Sequence, residues 1–244
     1  MTGRGAKRAR PMACLLMLAA LAPLAACKSG PAPNAGFVLE RPEAQKPPDL
    51  PFHSAWFKPG VNWDSYTKVM VSAVDTKHLL PPVSPILTAG AGDREAQIQD
   101  LALYARQALK RAFRDDPGHR FQVVEDRGPG ILDLEFAITD FTASRPGVNA
   151  VSFFFIYTAI QRGGVAMEAR VRDSKSGETI TTFADKENAP YSPIHADDFN
   201  KLGHSESVID TWAEQMVHVL GRRAGEAVED SPRIRLKPWR EKRP

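Results

Sequence analysis

The chain has 244 residues, with 32 lysine and arginine residues against 29 aspartate and glutamate residues, a formal net charge of +3. Hydrophobic residues make up 43% of the chain, which is too many for a fully disordered protein and too few for a polytopic membrane protein. The two cysteines exclude a disulfide-rich scaffold and a four-thiolate zinc site. The length accommodates one domain or two small ones.

The first 26 residues have the pattern of an export signal. An apolar stretch, shorter than the about 20 residues that a membrane-spanning helix needs, follows a basic start. The stretch ends in Leu-Ala-Ala followed by Cys27, and so resembles a bacterial lipoprotein signal with its lipobox. The resemblance implies that residues 1–26 are removed and that Cys27 carries acyl chains; we expect no cofactor besides this lipid. A simple secretory signal with a chance cysteine is the alternative.

Removal of the signal changes the charge and the thiol content. The remaining chain has 28 basic and 29 acidic residues. Cys14 leaves with the signal and lipid blocks Cys27, so we expect no thiol for catalysis, metal ligation or redox switching. The C-terminal tail, residues 231–244, is basic and either contacts anionic lipids or acidic envelope polymers, or stays solvated or folds back on the acidic body. Its basic residues are Arg233, Arg235, Lys237, Arg240, Lys242 and Arg243.

Residues 27–51 form a predicted tether between the lipid and a globular domain. The segment is polar and rich in proline, and it has no sustained helical or alternating pattern. Proline-rich chain is extended by about 3.1 Å per residue, so the tether could reach on the order of 60–70 Å and hold the domain off the bilayer. Lys28 follows the cysteine, where an aspartate commonly signals inner-membrane retention in enterobacterial lipoproteins. We therefore expect an outer-membrane anchor and a domain that faces the periplasm.

The globular domain, predicted over residues 52–230, alternates strands with two amphipathic helices. The patterns predict a strand over 66–75, a helix from an N-cap at Asp93 to Phe113, strands over 121–124 and 132–139, a hairpin over 165–172 and 179–183, and a helix over 208–220 with Ser205 as its N-cap. Strands grouped between two helices favour a single α+β domain with a mostly antiparallel sheet, both helices on one face, and the order β-α-β-β-β-β-α.

The most apolar stretch outside the signal is residues 152–160. It is too short to span a bilayer. It is either a buried strand or core loop, or an exposed apolar edge that contacts a membrane or a partner.

No known phosphate-binding, dinucleotide-binding, zinc-protease or nucleophile-elbow motif is present. The best polar cluster is His195, Asp197, Asp198 and His204. Such residues could bind a metal or share a proton, but the surrounding loop residues favour a capping or solvated role. The sequence therefore assigns no catalytic, cofactor-binding or metal-ligating residue.

Two segments resemble a known family. They are residues 66–71 and the hairpin from Glu168 to Glu178, with its Glu-Ala-Arg-Val-Arg-Asp-Ser-x-x-Gly-Glu pattern. Over about residues 52–225, the chain resembles an uncharacterised bacterial lipoprotein family, known as domain of unknown function 3313. The resemblance implies an envelope domain that contains helices and strands. The family has no known catalytic residues, so it assigns none to this chain.

Two functional hypotheses follow. The first is a non-enzymatic outer-membrane lipoprotein whose domain binds an envelope protein or polymer. The alternative is an envelope hydrolase that uses carboxylates or His195 and His204, since such enzymes need no short motif. Carriage of a ligand in a cavity of the sheet is a third option. We expect no nucleic-acid partner, because the exported body is acidic and lacks an aromatic and basic face.

The lipid anchor is tested by replacing Cys27 with serine. A single acyl chain binds membranes only marginally whereas several bind firmly, so we expect Cys27→Ser to move the protein from the membrane pellet to the soluble fraction of fractionated cells. Persistence of the variant in the pellet after a carbonate wash would contradict the anchor.

Overall fold

A computed structural model describes residues 31–39, 49–81, 94–142, 164–188, 202–222 and 226–228. In these ranges the chain forms six strands and two long helices, in the order expected for an α+β domain. The elements are β1 (Ser54–Phe57), β2 (Lys68–Val71), α1 (Arg94–Arg114), β3 (Gln122–Val124), β4 (Ile131–Thr142), β5 (Gly164–Asp173), β6 (Thr179–Asn188) and α2 (Gly203–Gly221).

The six strands form one sheet in the order β1-β6-β5-β4-β2-β3. The pairs β1–β6, β5–β6 and β4–β5 are antiparallel, whereas β2 runs parallel to both β3 and β4. Parallel neighbours need a crossover connection, and α1 lies in the connection between β2 and β3. The prediction of a mostly antiparallel sheet is confirmed.

Both helices pack on one face of the sheet and build the core there. In β4 the side chains of Leu132, Leu134, Phe136 and Ile138 alternate toward this face, as the period of two in the sequence predicts. The apolar stripes of both helices meet them, with Trp212 of α2 among the largest buried side chains. An amphipathic helix gains most of its stability from this kind of packing.

Three details differ from the sequence expectation. Strand β1 was not predicted, because four residues are too few to show a period, and it pairs with β6 as an edge strand. Strand β2 covers less than residues 66–75, since Asp75 makes only an isolated bridge to Ala137. The N-cap at Ser205 is wrong: α2 already begins at Gly203, and Ser205 is buried in its first turn.

The turn between β5 and β6 explains the hairpin sequence that carries the family resemblance. Asp173 Oδ1 accepts hydrogen bonds from the amides of Lys175 (3.0 Å) and Ser176 (2.6 Å), and Oδ2 accepts one from the Tyr66 hydroxyl at 2.9 Å. Gly177 adopts a φ of +73°, which L-residues with side chains rarely adopt, and donates to the Asp173 carbonyl at 2.8 Å. Aspartate and glycine at these positions therefore set the turn.

The same contacts shift two pKa values. Burial raises the pKa of Asp173, but hydrogen bonds from Ser176 and Tyr66 lower it by more, so the net pKa lies below the ordinary value. Burial, together with the bond to Asp173, raises the pKa of Tyr66 to about 12. The ionised form of Asp173 and the neutral form of Tyr66 are the pair that the fold stabilises.

Replacing Asp173 with asparagine tests this turn. Because the folded-state pKa is lowered, the carboxylate stabilises the protein above its unfolded pKa, and this contribution is lost as pH falls through the folded pKa. We expect Asp173→Asn to cost about 1–3 kcal/mol of unfolding free energy at pH 7, and clearly less near pH 3, in urea titrations at both pH values. The exposed Glu178→Gln in the same turn is the control. An equal loss at both pH values would show that the charge does not matter.

Candidate functional site

The face of the sheet opposite the helices carries most of its charged strand residues, and we call it the open face. Side chains alternate along a strand, so the residues between the core positions of β4, β5 and β6 point there. They are Asp133, Glu135, Ala137, Asp140, Glu168, Arg170, Arg172, Thr182 and Lys186.

Opposite charges face each other across β4 and β5. Asp133 lies opposite Arg172, and Glu135 lies opposite Arg170 in the register of the two strands. Arg170 Nε donates to Glu135 Oε2, and Arg172 Nη1 lies 3.8 Å from Glu135 Oε1. Lys186 of β6 reaches across β5, so that its Nζ lies 2.9 Å from Asp140 Oδ2 of β4. Such pairs each contribute about 0.2–1 kcal/mol, so they order the face more than they stabilise the fold.

A short piece of the chain, residues 34–38, lies on this face, and we call it the docked segment. The side-chain Oδ1 of Asn34 accepts a hydrogen bond from the Gly36 amide at 2.9 Å. Gly36 has a φ of +82°, a conformation that favours glycine. The resulting bend directs the amides of Ala35 and Val38 toward the same carboxylate, that of Glu168.

Glu168 is the central group of the contact. Its side chain belongs to a fully buried residue of β5 (0% exposed). Oε1 accepts from the Ala35 amide and Oε2 from the Val38 amide, each at 2.9 Å. An ionised carboxylate only accepts hydrogen bonds, and burying it is costly unless donors are supplied. The two amides of the docked segment are donors of this kind.

Arg170 holds the docked segment from the next position on the same face. Its Nη1 donates to the Phe37 carbonyl at 3.0 Å, and its guanidinium lies 4.4 Å from the centre of the Phe37 ring. The ring also meets His78 edge-on, with 5.4 Å between centroids. Phe37 and Val38 form a small buried apolar cluster with Ala137. One aromatic side chain therefore anchors a segment that is otherwise bound through its main chain.

His78 is itself positioned by Asp75. Asp75 Oδ1 lies 2.8 Å from His78 Nδ1 and accepts the amides of Lys77 and His78. Burial raises the pKa of Asp75, but the hydrogen bonds and charge of His78 and the amide of Lys77 lower it by more, so the net pKa of Asp75 lies below its ordinary value. The contacts with Asp75 therefore fix the orientation of the His78 ring that meets Phe37.

A second buried carboxylate lies on the helix face. Asp185 of β6 is 2% exposed, and its Oδ1 is bound by His53 Nδ1 and by the His53 amide at 3.1 Å. Its Oδ2 accepts from Trp212 Nε1 of α2 at 2.7 Å. The Lys186 amide also donates to His53 Nδ1 at 3.3 Å. A histidine paired with a buried carboxylate also occurs in catalytic triads, and here the pair joins β6, α2 and the residue before β1.

The family model described as "Protein of unknown function (DUF3313)" matches residues 43–216, well over half of the chain. The chain belongs to the DUF3313 family. The resemblance drawn from the hairpin is confirmed, and the match covers every described strand and most of α2. No curated protein matches this DUF3313 chain.

Several solved structures are similar to this DUF3313 domain at low identity. A PelC dodecamer from Paraburkholderia phytofirmans is 12% identical, with a TM-score of 0.39, over 69% of this chain and 96% of that one. Protein XCC0632 from Xanthomonas campestris, of family-model DUF330, is 10% identical, with a TM-score of 0.38, over 68% and 92%. A minor lipoprotein from Acinetobacter baumannii is 13% identical, with a TM-score of 0.27, over 64% and 93%. Likeness at this level identifies no activity, partner or assembly.

Most of the residues singled out from the sequence lie outside the described ranges. Cys27, residues 152–160, the loop residues His195, Asp197 and Asp198, and the six basic residues of the tail all do, and their roles stay predictions. His204 is described and lies in the first turn of α2. Within the described ranges, no three His, Cys, Asp or Glu residues are grouped so that they could hold a metal ion, and no helix is long and apolar enough to cross a membrane.

No local sequence pattern predicts the Glu168 contact. Residues 34–38 fall inside the predicted tether, yet this part of it lies on the domain instead of serving as a spacer. One signal was available: Phe37, Val38 and the following Leu39 are apolar within an otherwise polar, proline-rich segment. Nothing in the alternation of β5 distinguished buried Glu168 from its more exposed neighbours Arg170 and Arg172.

Amide hydrogen exchange tests the docked segment. A hydrogen bond to a charged group contributes about 1.5–3 kcal/mol, so we expect Glu168→Gln to speed exchange at Ala35 and Val38 by roughly 10- to 100-fold. The amides within β4 and β5 should change little, and Glu178→Gln, at an exposed acid, is the matched control. Unchanged protection at Ala35 and Val38 would contradict the contact.

Proposed function

We propose that this DUF3313 protein is a non-enzymatic binding protein of the cell envelope. In this proposal Cys27 carries the lipid, the anchor lies in the outer membrane, and the domain faces the periplasm, where it binds an envelope protein or polymer. The observation that carries the proposal is the open face, on which a buried carboxylate and an arginine bind a segment of polypeptide through its main chain.

The surface chemistry of the open face supports a binding role. Its charges are paired across strands, so they present a fixed pattern instead of a mobile one. A pattern of fixed, opposite charges gives specificity and register in recognition more than raw affinity. The same face holds Phe37 between a guanidinium and an imidazole ring, and aromatic and arginine contacts dominate the energetics of many interfaces.

The groove that the structure describes between the two helices is open to solvent, which favours contact with another surface over catalysis in an enclosed cavity. A groove of about 310 Å³ lies between α1 and α2, with Asp210, Glu214 and His218 among its lining residues. Asp210 accepts a hydrogen bond from the Tyr104 hydroxyl at 2.8 Å, and burial together with this bond raises the Tyr104 pKa. In the groove, Asp210 is therefore committed to holding the two helices together.

An envelope hydrolase is the second candidate, and the pair of His53 and Asp185 is the observation that favours it. A histidine oriented by a buried carboxylate is suited to act as a general base. The second oxygen of Asp185 binds Trp212, which fits a structural link equally well. Hydrolysis of purified cell-wall sacculi or casein by the protein, abolished in His53→Gln with the melting temperature unchanged, would select the hydrolase.

Photo-crosslinking in intact cells tests the binding role. A crosslinking phenylalanine derivative is placed at Thr142, exposed at the end of β4 on the side of the open face, or at Leu103, exposed on α1 in the helix layer. We expect a discrete adduct from Thr142 and much less from Leu103. Absence of an adduct from both positions, in a protein that is folded and membrane-anchored, would reject the binding proposal.

A further inference from the structure

The docked segment is held mainly through atoms that every peptide has. Glu168 accepts two main-chain amides, and Arg170 donates to one main-chain carbonyl. We infer that this part of the open face, which we call the Glu168 site, is a binding site for a short peptide segment of an envelope protein, which takes the place of the docked segment. The inference rests on the proposed function and narrows the partner to a polypeptide.

The docked segment defines the chemistry of the ligand. Gly36, at a φ of +82°, makes the bend that aims both amides at one carboxylate. The residue after it places an aromatic ring under Arg170 and against His78. The next residue is aliphatic and packs with Ala137. The site therefore fits an uncharged segment with a glycine, an aromatic residue and an aliphatic residue in succession.

Exchange of the segment leaves the sheet intact. Residues 31–39 form no strand, so the ladders between β4, β5 and β6 do not depend on them. A second peptide that offers the same two amide donors and one carbonyl acceptor would replace the three main-chain bonds one for one. The site favours a peptide over an anionic lipid or polymer, because negative groups would approach the buried carboxylate of Glu168 without donating to it.

The experiment measures binding of a synthetic peptide to the full mature chain. The probe is residues 31–39 with blocked ends and a fluorescent label, followed by anisotropy. Phe37→Ser in the protein weakens the binding of its own docked segment but leaves the residues of the Glu168 site unchanged. We therefore expect the probe to bind this variant at least tenfold tighter than the unaltered protein. Gly36→Val, which strains the bend, should give a similar gain by a different route.

Changes in the site should remove the gain. In the Phe37→Ser background, Glu168→Gln and Arg170→Met should each reduce probe binding at least tenfold. Arg127→Met is the matched control, because Arg127 is an exposed arginine that contacts Asp133 at 2.9 Å and not the docked segment. A probe whose own phenylalanine is replaced by serine should bind poorly to every variant.

Three results would overturn the inference. The first is no probe binding to variants with altered segments whose melting curves stay cooperative, which would make the segment a permanent part of the fold. The second is displacement of the probe by anionic vesicles or soluble cell-wall glycans. The third is a dimer formed by exchange of segments in sedimentation of the unaltered chain, which would make a second copy the occupant. If Thr142 still gives adducts in cells, the proposed function stands although the peptide site fails.

Discussion

The buried carboxylate of Asp185 is the interaction on which the arrangement of the layers depends. An ionised group inside a protein is costly unless hydrogen bonds surround it, and Asp185 receives such bonds from two parts of the chain. His53 binds it from the residue before β1, and Trp212 binds it from the buried stripe of α2. One side chain of β6 thereby fixes both the edge strand β1 and the helix α2. Apolar packing alone or strand pairing alone would not fix both.

Glu168 does the corresponding work on the other side of the sheet. It lies on β5, next to β6, and the two carboxylates point to opposite faces. Asp185 is bound by a helix residue and by the residue directly before an edge strand, whereas Glu168 is bound by a segment that belongs to no helix or strand. The same electrostatic requirement thus produces a permanent joint on one face and a contact with an irregular segment on the other. This difference is the basis on which we propose the open face as a recognition surface.

The fold was largely predictable, and the site was not. Periodicity marks α1, α2 and the long strands β4 and β5, because burial of one face imposes a period on many residues. Strand β1 was not predicted, because its four residues are too few to show a period. Ala35 and Val38 lie 133 and 130 residues from Glu168 in the chain. His53 lies 132 residues from Asp185. Contacts at such separation leave no local pattern, so no spacing rule could have joined them.

In the proposed lipoprotein, the docked segment limits the distance between the domain and its lipid anchor. With Cys27 lipidated as proposed, only six residues lie between Cys27 and Asn34, and the chain from Cys27 to Asn34 spans at most about 25 Å even when fully extended. In the proposed lipoprotein, this short connection keeps the docked segment within about 25 Å of the outer membrane. Release of the segment would let the domain rotate and move away from the bilayer. In this proposal, occupancy of a few hydrogen bonds sets how far the domain can move from the outer membrane.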